Sequence, residues 1–278
     1  MLKKRNLFIA ILCLLCFTVQ AQDEKKNHNF RIGIEFGGDY YSGKSIKQDR
    51  VLENRSYNHV YDDNDYSGGI VKGKRDMDIA YIGIKPEIFV FNNRLGISAG
   101  LRYSEYMSYL TSDRDYFLWF LREDEISAEY LKVKKIKQNN RYLGIPFELR
   151  IFPNKQELPF QHYFKIGTVL NYRIDTKNKV MFYNRQMNQY EDMVDSQVNN
   201  PNDFNNFNAY MFGAIGFKIG GFNVGSEKKF PYINFEFHLP NVMLDPMTFS
   251  FIKITDAWFG GQVSVQIPLG KTVPIGSR

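Results

Sequence analysis

Asn140 to Asn154 reads NRYLGIPFELRIFPN. Leu143, Ile145, Phe147, Leu149 and Ile151 are apolar, and between them stand Gly144, Pro146, Glu148 and Arg150. A period of two marks a strand with two unlike faces. The fold turns on which of these faces is enclosed. Either the apolar face packs on a core and the charges meet water, or the apolar face is the coat and the charges lie within.

The same alternation recurs seven more times. Phe30–Phe36, Ala80–Val90, Leu95–Tyr103, Phe164–Tyr172, Ile233–Leu239 and Val263–Leu269 repeat it, and Ala209–Ile219 does so less regularly. No helical period of comparable strength follows residue 21, so the chain reads as all-β with eight strands. Strands two and three are joined by Asn92, Asn93 and Arg94 alone, and the next two even-numbered strands are also left by brief linkers. The odd-numbered linkers are long: 42–77, 111–140, 174–207 and 241–255. In an antiparallel meander this places every short turn at one end and every long loop at the other. Outer-membrane barrels are built that way, with short periplasmic turns and long external loops.

The composition of the polar face favours enclosure. Gly33, Gly37, Gly83, Gly96, Gly100, Gly144 and Gly167 alternate there with large charged groups, as a narrow bore filled by interleaved small and large side chains requires. The charges are of both signs: Arg31, Lys85, Arg102, Arg150, Lys165 and Lys218 against Glu35, Glu87, Glu148 and Glu236. Enclosed charges must find partners because desolvation is costly, so these ten are expected to form a lumen network. Aromatics at the strand ends (Phe89, Phe91, Phe152, Tyr163, Phe164, Phe230 and Tyr232 at the short-turn end; Tyr103, Tyr109 and Tyr172 at the other) suit two interfacial girdles. The expectation is an eight-stranded antiparallel up-and-down transmembrane β-barrel. Pairing of Tyr116–Leu121 with Tyr130–Ile136 would raise the count to ten, but would put Lys135 and Lys137 on the apolar side. That hairpin is therefore expected to rise above the barrel. Pro146 has no N–H and a closed barrel has no edge to place it on, so a bulge or irregular pairing is expected there.

Residues 1–21 begin with Lys3, Lys4 and Arg5, continue through the apolar run Leu7–Phe17 and end on Ala21. This reads as a signal peptide, leaving 22–278 as one barrel domain in the outer membrane, loops extracellular and both termini periplasmic. Cys13 and Cys16 fall within it, so the mature chain has no thiol chemistry. The formal charge of +6 falls to +3 without the three basic residues of the leader, too mild to argue for nucleic acid.

Tyr142-Leu143-Gly144-Ile145-Pro146-Phe147-Glu148-Leu149-Arg150, followed by the glycine-bearing strand Phe164–Leu170, resembles the PorT-like outer-membrane β-barrel family of Bacteroidota. The resemblance implies a barrel in the outer membrane, and members tied to protein secretion through the type IX system. The chain departs from the pattern in its longer first three loops and in the tail Gly270–Arg278.

Candidate chemistry is sparse. His59 beside Asp62, Asp63 and Asp65 is the one loop grouping of catalytic type, and a solvated loop histidine is much the better account of it. Asp63, Asp65 and Ser67 copy the first half of a calcium loop, but Lys74 stands where the bidentate glutamate belongs. The run Phe117, Leu118, Trp119, Phe120 and Leu121 is either packed beneath neighbouring loops or presented to a partner. An eight-stranded barrel is just wide enough for side chains to fill, so a plugged interior is expected. Taken together, the sequence predicts a non-enzymatic subunit of an envelope complex, without cofactor, that contacts lipid and other outer-membrane proteins. The rivals are a loop-based surface binder or adhesin and a lipid- or peptide-modifying enzyme.

Overall fold

The computed structural model describes residues 29–45, 51–52, 73–91, 94–112, 116–123, 128–153, 159–198, 206–221, 231–244 and 252–269. Twelve strands are present: β1 (Asn29–Ser45), β2 (Val51–Leu52), β3 (Gly73–Val90), β4 (Leu95–Ala99), β5 (Leu101–Ser112), β6 (Phe117–Glu123), β7 (Ala128–Ile151), β8 (Phe160–Phe182), β9 (Phe207–Gly220), β10 (Tyr232–His238), β11 (Val242–Met243) and β12 (Ile252–Leu269). Among the described residues a 3₁₀ turn, Arg185–Tyr190, leads into the helix α1 (Glu191–Val198).

Eight staves close a ring of antiparallel neighbours: β1, β3, β4 with β5, β7, β8, β9, β10, β12 and back to β1. β6 is not a stave. It pairs with the top of β7 and carries β2 on its far edge, which is the hairpin rising above the barrel.

The pairing fixes the barrel's stagger. From Phe36 one path of directly opposed residues runs through Ile82, Tyr103 and Leu143 to Tyr172. The other runs through Val263, Phe235 and Phe217 to His162. The two paths reach β8 ten residues apart. For eight strands, that shear corresponds to a tilt of about 40°.

The apolar face is the outer one. On β7, Phe147, Leu149 and Ile151 are exposed while Glu148 and Arg150 are buried. Around the ring the outward set includes Phe36, Ile84, Ile97, Ile166, Ile215, Phe235 and Val263, each between 37 % and 54 % exposed. On β7 this band runs for nine residues, Leu143 to Ile151, and gives way above to Arg141, Asn139 and Lys137.

No bulge forms at Pro146: it pairs with Val169 in register, and the irregular pairing expected there is a lapse of the ladder on its other side. Its carbonyl accepts from the Gly100 amide at 3.2 Å. The reciprocal bond is the one a proline cannot make, and strand pairing lapses at Gly100, the break between β4 and β5. Pro86 stands on the other side of the same gap, where β3 pairing stops at Glu87–Ser98 and resumes at Ile84–Leu101. A side chain on Gly100 would strike the Ile84 carbonyl oxygen, so the neighbouring wall closes tightly over the lapse.

Two bulges interrupt the β7–β8 ladder, and the β1–β12 and β6–β7 ladders carry register shifts of their own. Ile174 on β8 and Lys134 on β7 are each an extra residue between paired neighbours. Each reverses the side to which the following residues point. Above Ile174 the inward set changes from Val169 and Asn171 to Val180 and Phe182.

Candidate functional site: the filled lumen and its upper turret

The lumen glycines receive neighbouring side chains. A Cβ at Gly216 would lie 2.3 Å from the Tyr163 ring, at Gly37 2.3 Å from the Tyr81 hydroxyl and at Gly83 2.5 Å from Glu35 Oε1. Small residues on one stave thus make room for large ones on the next. We expect Gly216→Val to lower the urea midpoint of the refolded barrel by an amount equivalent to about 1–3 kcal/mol, because Tyr163 is fully buried against Gly216. An unchanged midpoint would show that the ring is not confined.

Between these seats lies one continuous ion network. Arg102 Nε and Lys85 Nζ each reach Glu35 at 2.7 Å. Lys85 also pairs with Glu148, which meets Arg102 at 3.2 Å and Lys165 at 3.5 Å. Lys165 continues to Glu236, and Arg150 bridges Glu236 and Glu87 at 3.3 Å each. Four cations and four carboxylates from six staves therefore neutralise one another, and all eight are 0–3 % exposed. Tyrosines fill the remaining directions: Tyr163 donates to Glu236 at 2.6 Å, Arg102 donates to the Tyr210 hydroxyl at 3.1 Å, and the Arg102 guanidinium lies 4.1 Å from the Tyr81 ring centre.

The other two residues of the sequence-read set, Arg31 and Lys218, are buried near the short-turn end, outside that chain of salt bridges. Arg31 is sandwiched between the Phe89 and Tyr232 rings at 4.8 and 4.4 Å. Lys218 donates to Gln161 at 3.2 Å. The aromatic girdle expected at this end needs correction. Phe91 and Phe164 point outward, but Phe89, Phe152, Tyr163 and Tyr232 point inward and are 0–1 % exposed. Phe89, Phe152 and Tyr163 form a single inward cluster closing the bore from below. Phe230 lies outside the described residues.

Sequence reasoning missed a second buried pair. His238 Nδ1 lies 2.6 Å from Asp39 Oδ1, with Tyr81 above its other nitrogen at 3.4 Å and Tyr81 donating to Gln262 at 3.1 Å. Asp39 and His238 are 199 positions apart, and each alone looks like one more polar residue on an alternating strand. Buried to 5 % and 3 % exposure, the pair ties β1 to β10. Above it Tyr41, Met77, Ile79, Tyr106 and Tyr142 close the bore with a tyrosine-rich layer.

For the 117–121 run, the packed reading holds at two positions. Phe117 and Trp119 face inward and are 1 % and 5 % exposed. They pack with Leu131, Val133, Ile136, Val180, Phe182, Val194 and Val198 in a small core formed by β6, the tops of β7 and β8, and α1. Leu118 is half-buried, and the side chains of Phe120 and Leu121 lie outside the described residues. Burial follows from the period of two: positions 117 and 119 share the face that α1 covers. Trp119 Nε1 donates to Gln197 at 2.7 Å, and Val180 donates its amide to Glu191 at 3.4 Å, so α1 also covers the open edge of β8. Trp119→Phe should cost this turret about 1–2 kcal/mol, read as faster limited proteolysis of the turret while the barrel keeps its unfolding midpoint. Equal proteolysis rates would mean that the indole carries none of the turret's stability.

His59 and the calcium candidates Asp63, Asp65 and Ser67 lie outside the described residues, as do residues 1–21. No helix among the described residues is long and apolar enough to cross a membrane, which says nothing of strands. No protein-family model matches the chain, and no curated protein matches it significantly.

Proposed function

We propose that this chain is an outer-membrane β-barrel whose lumen is a structural plug, serving as a non-enzymatic accessory or structural subunit of a cell-envelope complex. Protein secretion or outer-membrane protein assembly is the first setting to test. The short turns face the periplasm, as do both termini, and the turret stands outside the cell.

One observation carries this reading: the molecule is inside out relative to a water-soluble barrel. Its charges are enclosed and mutually neutralised, and its Ile, Leu, Phe and Val side chains form the coat. A soluble protein has no use for a continuous apolar belt of this kind, whereas lipid demands one. The packed lumen argues against a conducting role, and the turret core gives the outer end a fixed shape suited to contacts with other envelope proteins.

Cross-linking in native outer membranes, followed by purification through the barrel, should recover a stable partner that is itself an envelope protein. Recovery of the barrel alone under conditions that preserve known envelope complexes would overturn the subunit role. In planar bilayers the purified protein should give no open-channel step. A reproducible conductance would replace the plug with a pore.

A further inference from the structure

Above the apolar band, the outer face of β7 and β8 is basic. Lys132, Lys134, Lys135 and Lys137 on β7 and Lys177 and Lys179 on β8 all point outward, four exposed and Lys135 and Lys137 half-buried. Lys137 stands directly opposite Lys179, and Asn139 opposite Lys177. Like charges directly opposed across a strand pair are destabilising.

Of the nearest described carboxylates, Glu105 and Asp175 both pair with Arg141, at 3.2 and 3.3 Å, while Asp76 and Asp78 stand farther round the wall on β3, with the Tyr40 hydroxyl donating to Asp76. Among the described residues none of the six lysines pairs with a carboxylate. Three of their ammonium groups instead lie over tyrosine faces. Lys135 and Lys137 lie 4.3 and 5.6 Å from the Tyr109 ring centre, and Lys132 lies 4.9 Å from that of Tyr116. Such stacking leaves ammonium groups available to an external anion.

Height selects the anion. At a tilt of about 40°, each residue rises roughly 2.5 Å along the axis. Lys137 then lies about 15 Å above Leu143, the last outward apolar residue of β7 below the lysines, and Lys179 about 12 Å above the exposed Ile174, the last such residue of β8. A phospholipid headgroup layer adds only about 5–8 Å beyond the hydrocarbon. The lysines are therefore too high for a simple phospholipid phosphate and level with the sugar layer of a glycolipid.

We propose that the lysine face of β7 and β8 binds the phosphate groups of the phosphorylated glycolipid of the outer leaflet. The assignment rests on the membrane reading above and on its orientation.

The test uses the full mature chain refolded in mild detergent, titrated with a phosphorylated glucosamine-based glycolipid, its dephosphorylated form, phosphatidylglycerol, inorganic phosphate and poly-glutamate. The comparison protein is the quadruple variant Lys135→Gln, Lys137→Gln, Lys177→Gln, Lys179→Gln. Wild type should prefer the phosphorylated glycolipid over every other probe. The variant should bind it on the order of 100-fold more weakly. Insertion of both proteins into neutral phosphatidylcholine vesicles is measured separately, so that loss of the barrel is distinguished from loss of the site. If wild type fails to insert, the membrane reading falls. If both insert and bind the glycolipid equally, or if the dephosphorylated form or phosphatidylglycerol binds as well, the glycolipid site is wrong. Equal binding of inorganic phosphate would reassign the face to a free anion, and equal binding of poly-glutamate to an acidic protein, each overturning the proposal.

Discussion

Glu148→Ala is expected to destabilise the refolded barrel by about 3–5 kcal/mol, the range for breaking a buried ion pair by removing one partner. Glu148 is the network's branch point, touching Lys85, Arg102 and Lys165. Its loss leaves three cations facing two remaining central carboxylates, Glu35 and Glu236, all of them buried in the bore. The magnitude comes from desolvation already incurred by the cations, which they cannot recover while the ring stays closed. Charge balance can therefore be restored separately from contact. Adding Lys165→Met to Glu148→Ala removes one stranded ammonium and should recover part of the loss, giving a coupling energy of about 1–3 kcal/mol in a double-mutant cycle. Urea unfolding in lipid vesicles supplies all four corners. A cycle with no coupling would mean that the network fills space and contributes no ionic stabilisation.

The residues behind this prediction were legible in the sequence because the strand period places alternate residues on one face without any knowledge of partners. Glu148 and Arg150 had to lie together, opposite Leu149. Who pairs with whom was not legible. The contact between Lys165 and Glu236 depends on a stagger of ten residues, and shear leaves no trace in local periodicity. The same limit hid Asp39 and His238. The aromatic cluster misled for another reason: Phe89, Phe152 and Tyr163 occupy strand ends, as girdle residues do, but their parity is that of the charged face. Parity outranks depth here, and applying it to those three positions would have put them inside.

The turret shows the complementary failure. Alternation carried beyond Tyr172 assigns the wrong face to Val180 and Phe182, because Ile174 is an extra residue that reverses the pleat. Nothing in the composition of the segment marks it as a bulge. Helix α1 escaped notice because it buries only Val194 and Val198, and one repeat of four residues cannot establish a period of 3.6. Its helical preference is local, with Glu191 and Asp192 in the first turn, where acidic groups favour the helix dipole. The rest comes from the apolar surface of β7 and β8 that it covers.

Phe147→Arg should destabilise the barrel in lipid by about 2–4 kcal/mol, the cost of a cation at mid-depth on a lipid-facing surface. Phe147 is the middle outward residue of the band that runs from Leu143 to Ile151, and it is 38 % exposed. On a water-facing surface the same change would fall within about 0.5 kcal/mol of neutral. The difference makes this substitution a direct test of which face meets lipid. Met107→Arg is the matched control: it points outward on β5 above the band, opposite Asp78, and should change stability by no more than about 1 kcal/mol. Arg150 supplies the internal comparison. It stands three residues away on the same strand, fully buried, and is held by Glu87 and Glu236. An arginine is thus tolerated on the enclosed face, where carboxylates meet it, and rejected on the coat, where none can. If Phe147→Arg and Met107→Arg shift the unfolding midpoint equally in vesicles, the apolar band is not a lipid surface, and Leu143 to Ile151 must find another partner.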